Sequence, residues 1–401
     1  MKILMLADVF FPDITGGAGR VAHYLCLELS KKGHEVHIIT RNINGSLASR
    51  QQLNTNFFIH RFIVPQNGSS GLLLLSEARN SYILAKKLAK EISFDLVCVH
   101  QSMAAIGPLL SGLLRGIPIY YCLHSPWHEE YLIKRRTPDK KVGVKDRMIS
   151  LVMKTIEKRI LLKSKKVVVL SKYMGRKVSQ THGYPQERIR VIPGGVDLDR
   201  FHLPLEGKKN AKQDLDVTQD RTIFFTLRNL VPRMGIESLI GAFNCSETLR
   251  EKSLLLIGGS GFLENRLKEM VGSSNLKNSI LFLGHVPDQY LPGIYQAADY
   301  FVLPTEELEG FGLVILEAMA CGTPVLGTPV GAIPEIIGPF DERLIFKGTN
   351  WKDIKEKMED IIARPDLYYF DPKACRKFVE ENYSWKKVAD DFEEVAIGLI
   401  T

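Results

Sequence analysis

The chain has 401 residues, too many for one ordinary core, and its 45% hydrophobic and 24% charged content is that of a globular protein of about two domains, not a disordered or fibrous one. Six scattered cysteines, with no C-x-x-C pair and no metal-ligand spacing, exclude a disulfide framework and point to a reducing cytosol. The net charge of +8 is concentrated between positions 134 and 177, where sixteen Lys/Arg face three acids, so that the rest of the chain is net acidic.

The apolar start, 1–7, gives way to Asp8 too soon for a signal peptide and reads as a first strand. No apolar run approaches the roughly 18 residues that span a bilayer. Strand-like stretches at 2–7, 35–40, 59–64, 95–100, 117–123, 166–170 and 189–192 alternate with helical ones at 21–31, 77–91, 103–114, 146–162 and 171–181, the pattern of a parallel sheet covered on both faces. The pattern breaks near Pro193-Gly194-Gly195 and a polar stretch follows. It restarts at 222–227 and alternates again through strands at 253–257, 280–283, 300–303 and 324–327. The expected organisation is a first Rossmann-like domain over 1–195, a linker over 196–221, a second Rossmann-like domain over 222–382, and an amphipathic terminal helix over 383–401.

In open α/β sheets ligands bind beyond the carboxyl ends of the strands, so chemistry is sought in those loops. After the first strand, Gly16 and Gly17 permit close backbone approach ahead of a helix N-terminus, although a plain strand-to-helix turn would use glycine as well. His124 ends a strand in the run Tyr121 to Trp127 and is a candidate polar reader of a sugar; a lone histidine is otherwise structural. In the second half, Arg228 and Arg233 leave a strand and enter a helix with the spacing of a diphosphate clamp, or are ordinary surface arginines. The pair Asp197 and Asp199 reads as a turn, not a metal site.

The stretch Glu309-Gly310-Phe311-Gly312-Leu313 through Glu317 carries the strongest signal. A helix starting near Gly312 would turn its unpaired first N–H groups and positive dipole end toward the loop, a seat for phosphate. Glu309 stands just before that seat. Glu317 is the only ionisable group in an apolar run and could accept hydrogen bonds from vicinal hydroxyls. The bland alternative is a solvated loop glutamate and a core ion pair.

For the basic stretch, including Lys134, Arg135, Arg136, Lys140 and Lys141, the readings are a solvated helix face, an anionic membrane surface or an anionic acceptor. No nucleic-acid motif accompanies it.

Taken together, Gly16-Gly17, the run Val191 to Asp197, Glu309 and Glu317 as E-x7-E, the run Gly322 to Glu335, and Tyr383-Ser384-Trp385 resemble the retaining glycosyltransferases of family 4 over nearly the whole chain. The resemblance implies the GT-B fold: two doubly wound α/β domains facing a central cleft, with a C-terminal helix crossing back to the first. It implies sugar transfer from a nucleoside diphosphate sugar, UDP-sugar first and GDP-sugar next, to a carbohydrate or lipid-linked acceptor, with no cofactor and no metal. Glu309 and His124 would lie at the sugar, Glu317 at the ribose, Val286 at the base, and the backbone of Gly310 to Leu313 at sugar or phosphate. A cytoplasmic enzyme of cell-surface polysaccharide or glycolipid synthesis, peripheral on the membrane's inner face, is expected. The sequence departs from the family at one point. Where the family carries its two cations this chain has Asn229 and Met234, and Arg228 and Arg233 each stand one residue upstream. In a strand one step reverses the side-chain face, so their role requires loop conformation. A nucleotide-sugar epimerase of the same fold, or a non-catalytic nucleotide-sugar-binding partner subunit, are the alternatives.

Overall fold

The structure, a computed structural model, describes all residues except 12–15, 43, 44, 46, 66–69, 137–141, 206, 208–210, 213–219 and 401. Lys140 and Lys141 therefore lie outside the described residues. The chain divides into two compact units, one containing Met1–Arg136, the stretch running to Gly194 and the C-terminal helix, the other running from Gly195 to Ser384.

In the first unit an eight-stranded sheet is built from β1 (Lys2–Leu6), β2 (Glu35–Asn42), β3 (Arg50–Asn54), β4 (Phe57–Ile63), β5 (Leu96–Val99), β6 (Ile119–Leu123), β7 (Lys166–Val169) and β8 (Ile189–Val191). Their order is β3-β4-β2-β1-β5-β6-β7-β8, and only the β3–β4 pair is antiparallel. Ile3 to Leu6 are fully buried, as expected of a central parallel strand covered on both faces. β1 pairs with β2 from Lys2↔Glu35 to Leu6↔Ile39 and with β5 on its other side. The strand order therefore reverses between β1 and β5, where the loop after β1 emerges.

The C-terminal helix Trp385–Ile400 belongs to this unit. It packs against helix Gly17–Lys31: the rings of Tyr24 and Trp385 stack at 5.3 Å, Lys32 pairs with Asp390 and Glu393, and His34 Nε2 lies 2.7 Å from Glu393 Oε1. Its buried residues Val388, Phe392 and Ala396 recur at helical spacing.

The second unit holds a wholly parallel sheet of β9 (Thr222–Leu227), β10 (Ser253–Gly258), β11 (Ile280–Gly284), β12 (Tyr300–Leu303) and β13 (Val325–Gly327), ordered β11-β10-β9-β12-β13. Its reversal falls between β9 and β12. Both units are thus α/β and Rossmann-like.

Several elements went beyond the sequence reading. β3 is a polar edge strand, RQQLN, with no apolar alternation to mark it. Helices Trp127–Arg135, Trp351–Ala363 and Pro372–Asn382 lie in stretches to which the sequence reading assigned no element.

Candidate active site

The loops at the carboxyl ends of β9 and β12, on either side of the reversal, carry most of the residues singled out in the second half of the sequence. β9 ends at Leu227, so Arg228 is already outside the strand. The face reversal that a one-residue offset causes in a strand therefore does not apply to it. Its guanidinium turns toward the β12 loop: Nη2 lies 2.5 Å from Glu309 Oε2 and 3.2 Å from Thr305 Oγ1, and both Nη2 and Nε approach Met234 Sδ, at 2.7 and 3.1 Å. Met234, standing where the family has a cation, is the surface on which this arginine lies. The two charged side chains are only 7% and 12% exposed, so the pair is screened little by solvent.

Arg233 sits in a short 3-10 turn, Pro232–Met234, and is directed at the same loop, Nη1 donating to Leu308 O at 2.8 Å. The Arg233 carbonyl in return accepts from the Glu306 N–H at 2.8 Å. Gly235 then permits the close approach: its φ is +70°, and a Cβ there would stand 1.8 Å from Pro304 O. Leu308, next to Glu309, is the one non-glycine residue with positive φ (52°) among the described residues. A bulky residue held in that region is strained, and the strain is balanced by the contacts around it. Glu309 is fixed in turn by its carbonyl, which accepts from Ala332 N–H at 3.0 Å, and by Thr305 Oγ1, 3.4 Å from its carboxylate.

The helix after this loop runs Leu313–Ala320, with Gly312 as N-cap at φ 92° and no side chain capping it. Its first-turn amides and dipole therefore act on whatever approaches Gly310, Phe311, Gly312 and Leu313. Phe311 is buried, with its ring 6.1 Å from that of Tyr383. Glu317 is buried one to two turns into the helix and accepts from Tyr295 Oη at 3.0 Å through Oε2. Val286, just past β11, packs over Gly258 at the end of β10. The structure thus brings Arg228, Arg233, Glu309 and the 310–313 backbone into one loop system. It places Val286 and Glu317 on neighbouring elements of the same unit. Asp197 is a turn residue, its Oδ1 accepting from the N–H groups of Asp199 and Arg200.

Gly16, Gly17 and His124 belong to the first unit. Gly16 is the N-cap of helix Gly17–Lys31 and both glycines are exposed. His124 follows β6, with Nε2 3.3 Å from His100 Nδ1. Burial lowers its pKa to about 4, so the ring is neutral at pH 7 and can donate or accept a hydrogen bond without adding charge. Lys134 and Arg135 close helix Trp127–Arg135 as exposed side chains loosely paired with Glu130 and Asp146, and Arg136 caps it. The following helix, Val144–Lys163, exposes Val144, Met148, Leu151 and Val152 beside Lys145, Arg147 and Lys154.

One polar cluster escaped the sequence reading. At the β1–β5 reversal Asp8 accepts from Ala104 N–H at 2.6 Å and Met103 N–H at 3.3 Å. Arg41 Nε donates to Asp8 O at 2.8 Å and lies 3.5 Å from Glu77 Oε1. Glu77 is fully buried, and neither of its carboxylate oxygens has a hydrogen-bond partner. Burial, reinforced by the Asp8 charge, raises Glu77 to about 8, and burial raises Asp8 to about 6 against the pull of Ala104 N–H and Arg41. Asp8 could have been marked as the first polar residue after a central strand. Nothing in the sequence joins it to Glu77.

Comparison with known proteins places these observations. Residues 15–200 match the model of Glycosyltransferase Family 4, and residues 207–385 that of Glycosyl transferases group 1. An uncharacterized glycosyltransferase of Methanocaldococcus jannaschii is 26% identical, with 98% of this chain and 96% of that protein covered. A GDP-mannose-dependent phosphatidylinositol monomannoside mannosyltransferase of Mycolicibacterium smegmatis is 28% identical, with 62% of this chain and 66% of that protein covered. Among solved structures, sucrose-phosphate synthase from Thermosynechococcus elongatus superposes with a TM-score of 0.84 at 21% identity, covering 99% of this chain and 98% of that one. No helix among the described residues is long and apolar enough to cross a membrane. The two family models together take in most of the chain, its fold is GT-B, and the protein belongs to the family 4 glycosyltransferases.

Proposed function

We propose that the protein moves a sugar from a nucleoside diphosphate sugar, with UDP as the first choice of nucleotide, to an acceptor hydroxyl in cell-surface polysaccharide or glycolipid synthesis, retaining the anomeric configuration and requiring no metal. The observation that carries this reading is the Arg228–Glu309 pair beside the uncapped start of helix Leu313–Ala320. A diphosphate leaving group needs positive charge close by, and Arg228, Arg233 and the first-turn amides supply it from fixed positions. Glu309 contacts the sugar hydroxyls, Glu317 the ribose, Val286 the base and the neutral His124 the sugar. The departing phosphate oxygen takes the acceptor proton as the new bond forms on the same face. In the ligand-free protein the Arg228 charge is balanced by Glu309. Arrival of the diphosphate offers that guanidinium a second anion, and the Glu309 carboxylate turns to the sugar.

GDP as the nucleotide is the second choice, in line with the GDP-mannose dependence stated for the mycobacterial relative. The test is a panel of UDP-, GDP- and ADP-sugars read by thermal shift and then by nucleotide release with lipid and saccharide acceptors. One donor is expected to stabilise the protein and to release nucleotide only when acceptor is present, with Glu309→Ala lowering the rate at least a hundredfold. Turnover of the donor without acceptor would indicate an epimerase, and donor binding with no turnover a non-catalytic partner subunit. Unchanged rates in Glu309→Ala would refute the site.

A further inference from the structure

Three helices of the first unit each bring one ionisable side chain to a spot sealed from solvent. His128 comes from helix Trp127–Arg135, Glu157 from Val144–Lys163 and His182 from Lys172–His182, and none of the three is more than 7% exposed. His182 Nε2 lies 3.0 Å from Glu157 Oε2 and His128 Nδ1 lies 3.6 Å from it; each residue contributes one donor atom, and the three lie within 4.8 Å of one another. The other carboxylate oxygen is otherwise engaged, accepting from Trp127 N–H at 3.2 Å and Tyr121 Oη at 3.5 Å. Yet His128 Nδ1, His182 Nε2 and Glu157 Oε2 all lack a properly directed hydrogen bond. Buried polar atoms nearly always have partners, and three that lack them lie together here.

Neither ring nitrogen makes a hydrogen bond to Glu157 Oε2. A cation among the three satisfies all of them. Four-coordinate zinc holds N and O donors at about 2.0–2.2 Å, which sets neighbouring donors roughly 3.3 Å apart, and the two measured contacts bracket that value. We infer that His128, Glu157 and His182 form a structural site for one divalent transition-metal ion, zinc being the best match to two imidazoles and a carboxylate. The ion staples three helices, and through the Trp127 amide on the Glu157 carboxylate it steadies the segment that follows His124.

The only other such donor cluster among the described residues is Cys98, His100 and Cys122. There the two thiols lie 3.7 Å apart in hydrogen-bonding contact, and burial pushes the Cys98 thiol well above its ordinary pKa. The test uses the full chain without an affinity tag, stripped with a chelator and titrated with Zn²⁺ and separately with Co²⁺. One equivalent of zinc is expected to bind and to raise the Tm by several degrees, and the cobalt adduct to show bands of nitrogen and oxygen ligation with no thiolate charge transfer. His182→Gln should bind less than a tenth of an equivalent, while Cys98→Ser keeps full uptake. Failure of the stripped wild type to take up metal, full uptake by His182→Gln, or a thiolate charge-transfer band would overturn the assignment. The cobalt spectrum of the wild type decides the matter even if the histidine variant fails to fold.

Discussion

Glu77 makes the first unit's stability depend on pH in an unusual direction. Its carboxyl titrates at about 8 in the folded protein against 4.5 for an ordinary glutamate, because burial and the Asp8 charge disfavour ionisation. The folded state therefore holds a proton that the unfolded chain releases between those two values, and stability must fall as pH rises through that window. A displacement of this size corresponds to roughly 5 kcal/mol, fully present below about pH 4.5 and lost by pH 8 and above. Glu77→Gln keeps the shape and abolishes the titration. In a Trp351→Phe background the remaining tryptophans, Trp127 and Trp385, both report on the first unit. Urea unfolding followed by their fluorescence should show the variant close to the parent at pH 5 and more stable by several kcal/mol at pH 8.5. Parallel pH profiles for the two proteins would refute the reasoning, since an isosteric amide leaves Asp8 and Arg41 in place.

Two further outcomes follow from the second unit and from the basic surface. Glu309→Gln and Arg228→Met should each destabilise the second unit, because each strands a mostly buried charge. A double-mutant cycle should recover a coupling of about 2 kcal/mol, whereas a coupling under about 0.5 kcal/mol would mean that the pair is too well hydrated to matter. Helix Val144–Lys163 presents Val144, Met148, Leu151 and Val152 to solvent beside lysines and an arginine, the layout of a helix that lies on an anionic bilayer. Sedimentation with vesicles of one-third anionic lipid should show binding that weakens with salt and drops at least tenfold in Met148→Gln/Leu151→Gln, and equal binding to neutral vesicles would count against it.

Much of the architecture was legible because parallel strands buried on both faces leave continuous apolar runs. The strand read at 222–227 is β9, and the apolar stretch after Gly312 holds helix Leu313–Ala320. The glycines after β10 serve close packing: a Cβ on Gly259 or Gly261 would collide with Arg228 O or Leu230 O. What stayed hidden depends on elements far apart in sequence. Asp8, Arg41 and Glu77 come from the end of β1, β2 and a helix, and His128, Glu157 and His182 from three helices, so no local spacing announces either cluster. β3 was missed for another reason: an edge strand keeps polar residues on view, and periodicity has nothing to detect.

The arginine register shows how a site can depart from its family without losing its charge. Position 234 is one of the two at which the family carries a cation. Methionine there presents a soft sulfur instead, and the guanidinium of Arg228 lies against it after leaving β9. The positive charge thus enters from the strand end and carries a planar fork that meets Glu309 and Thr305 together. Arg233 spends one of its N–H groups on the carbonyl of the strained Leu308 and so braces the loop that carries Glu309. On the proposed function both arginines would supply charge to the diphosphate, and Arg233 in addition braces the loop that carries Glu309.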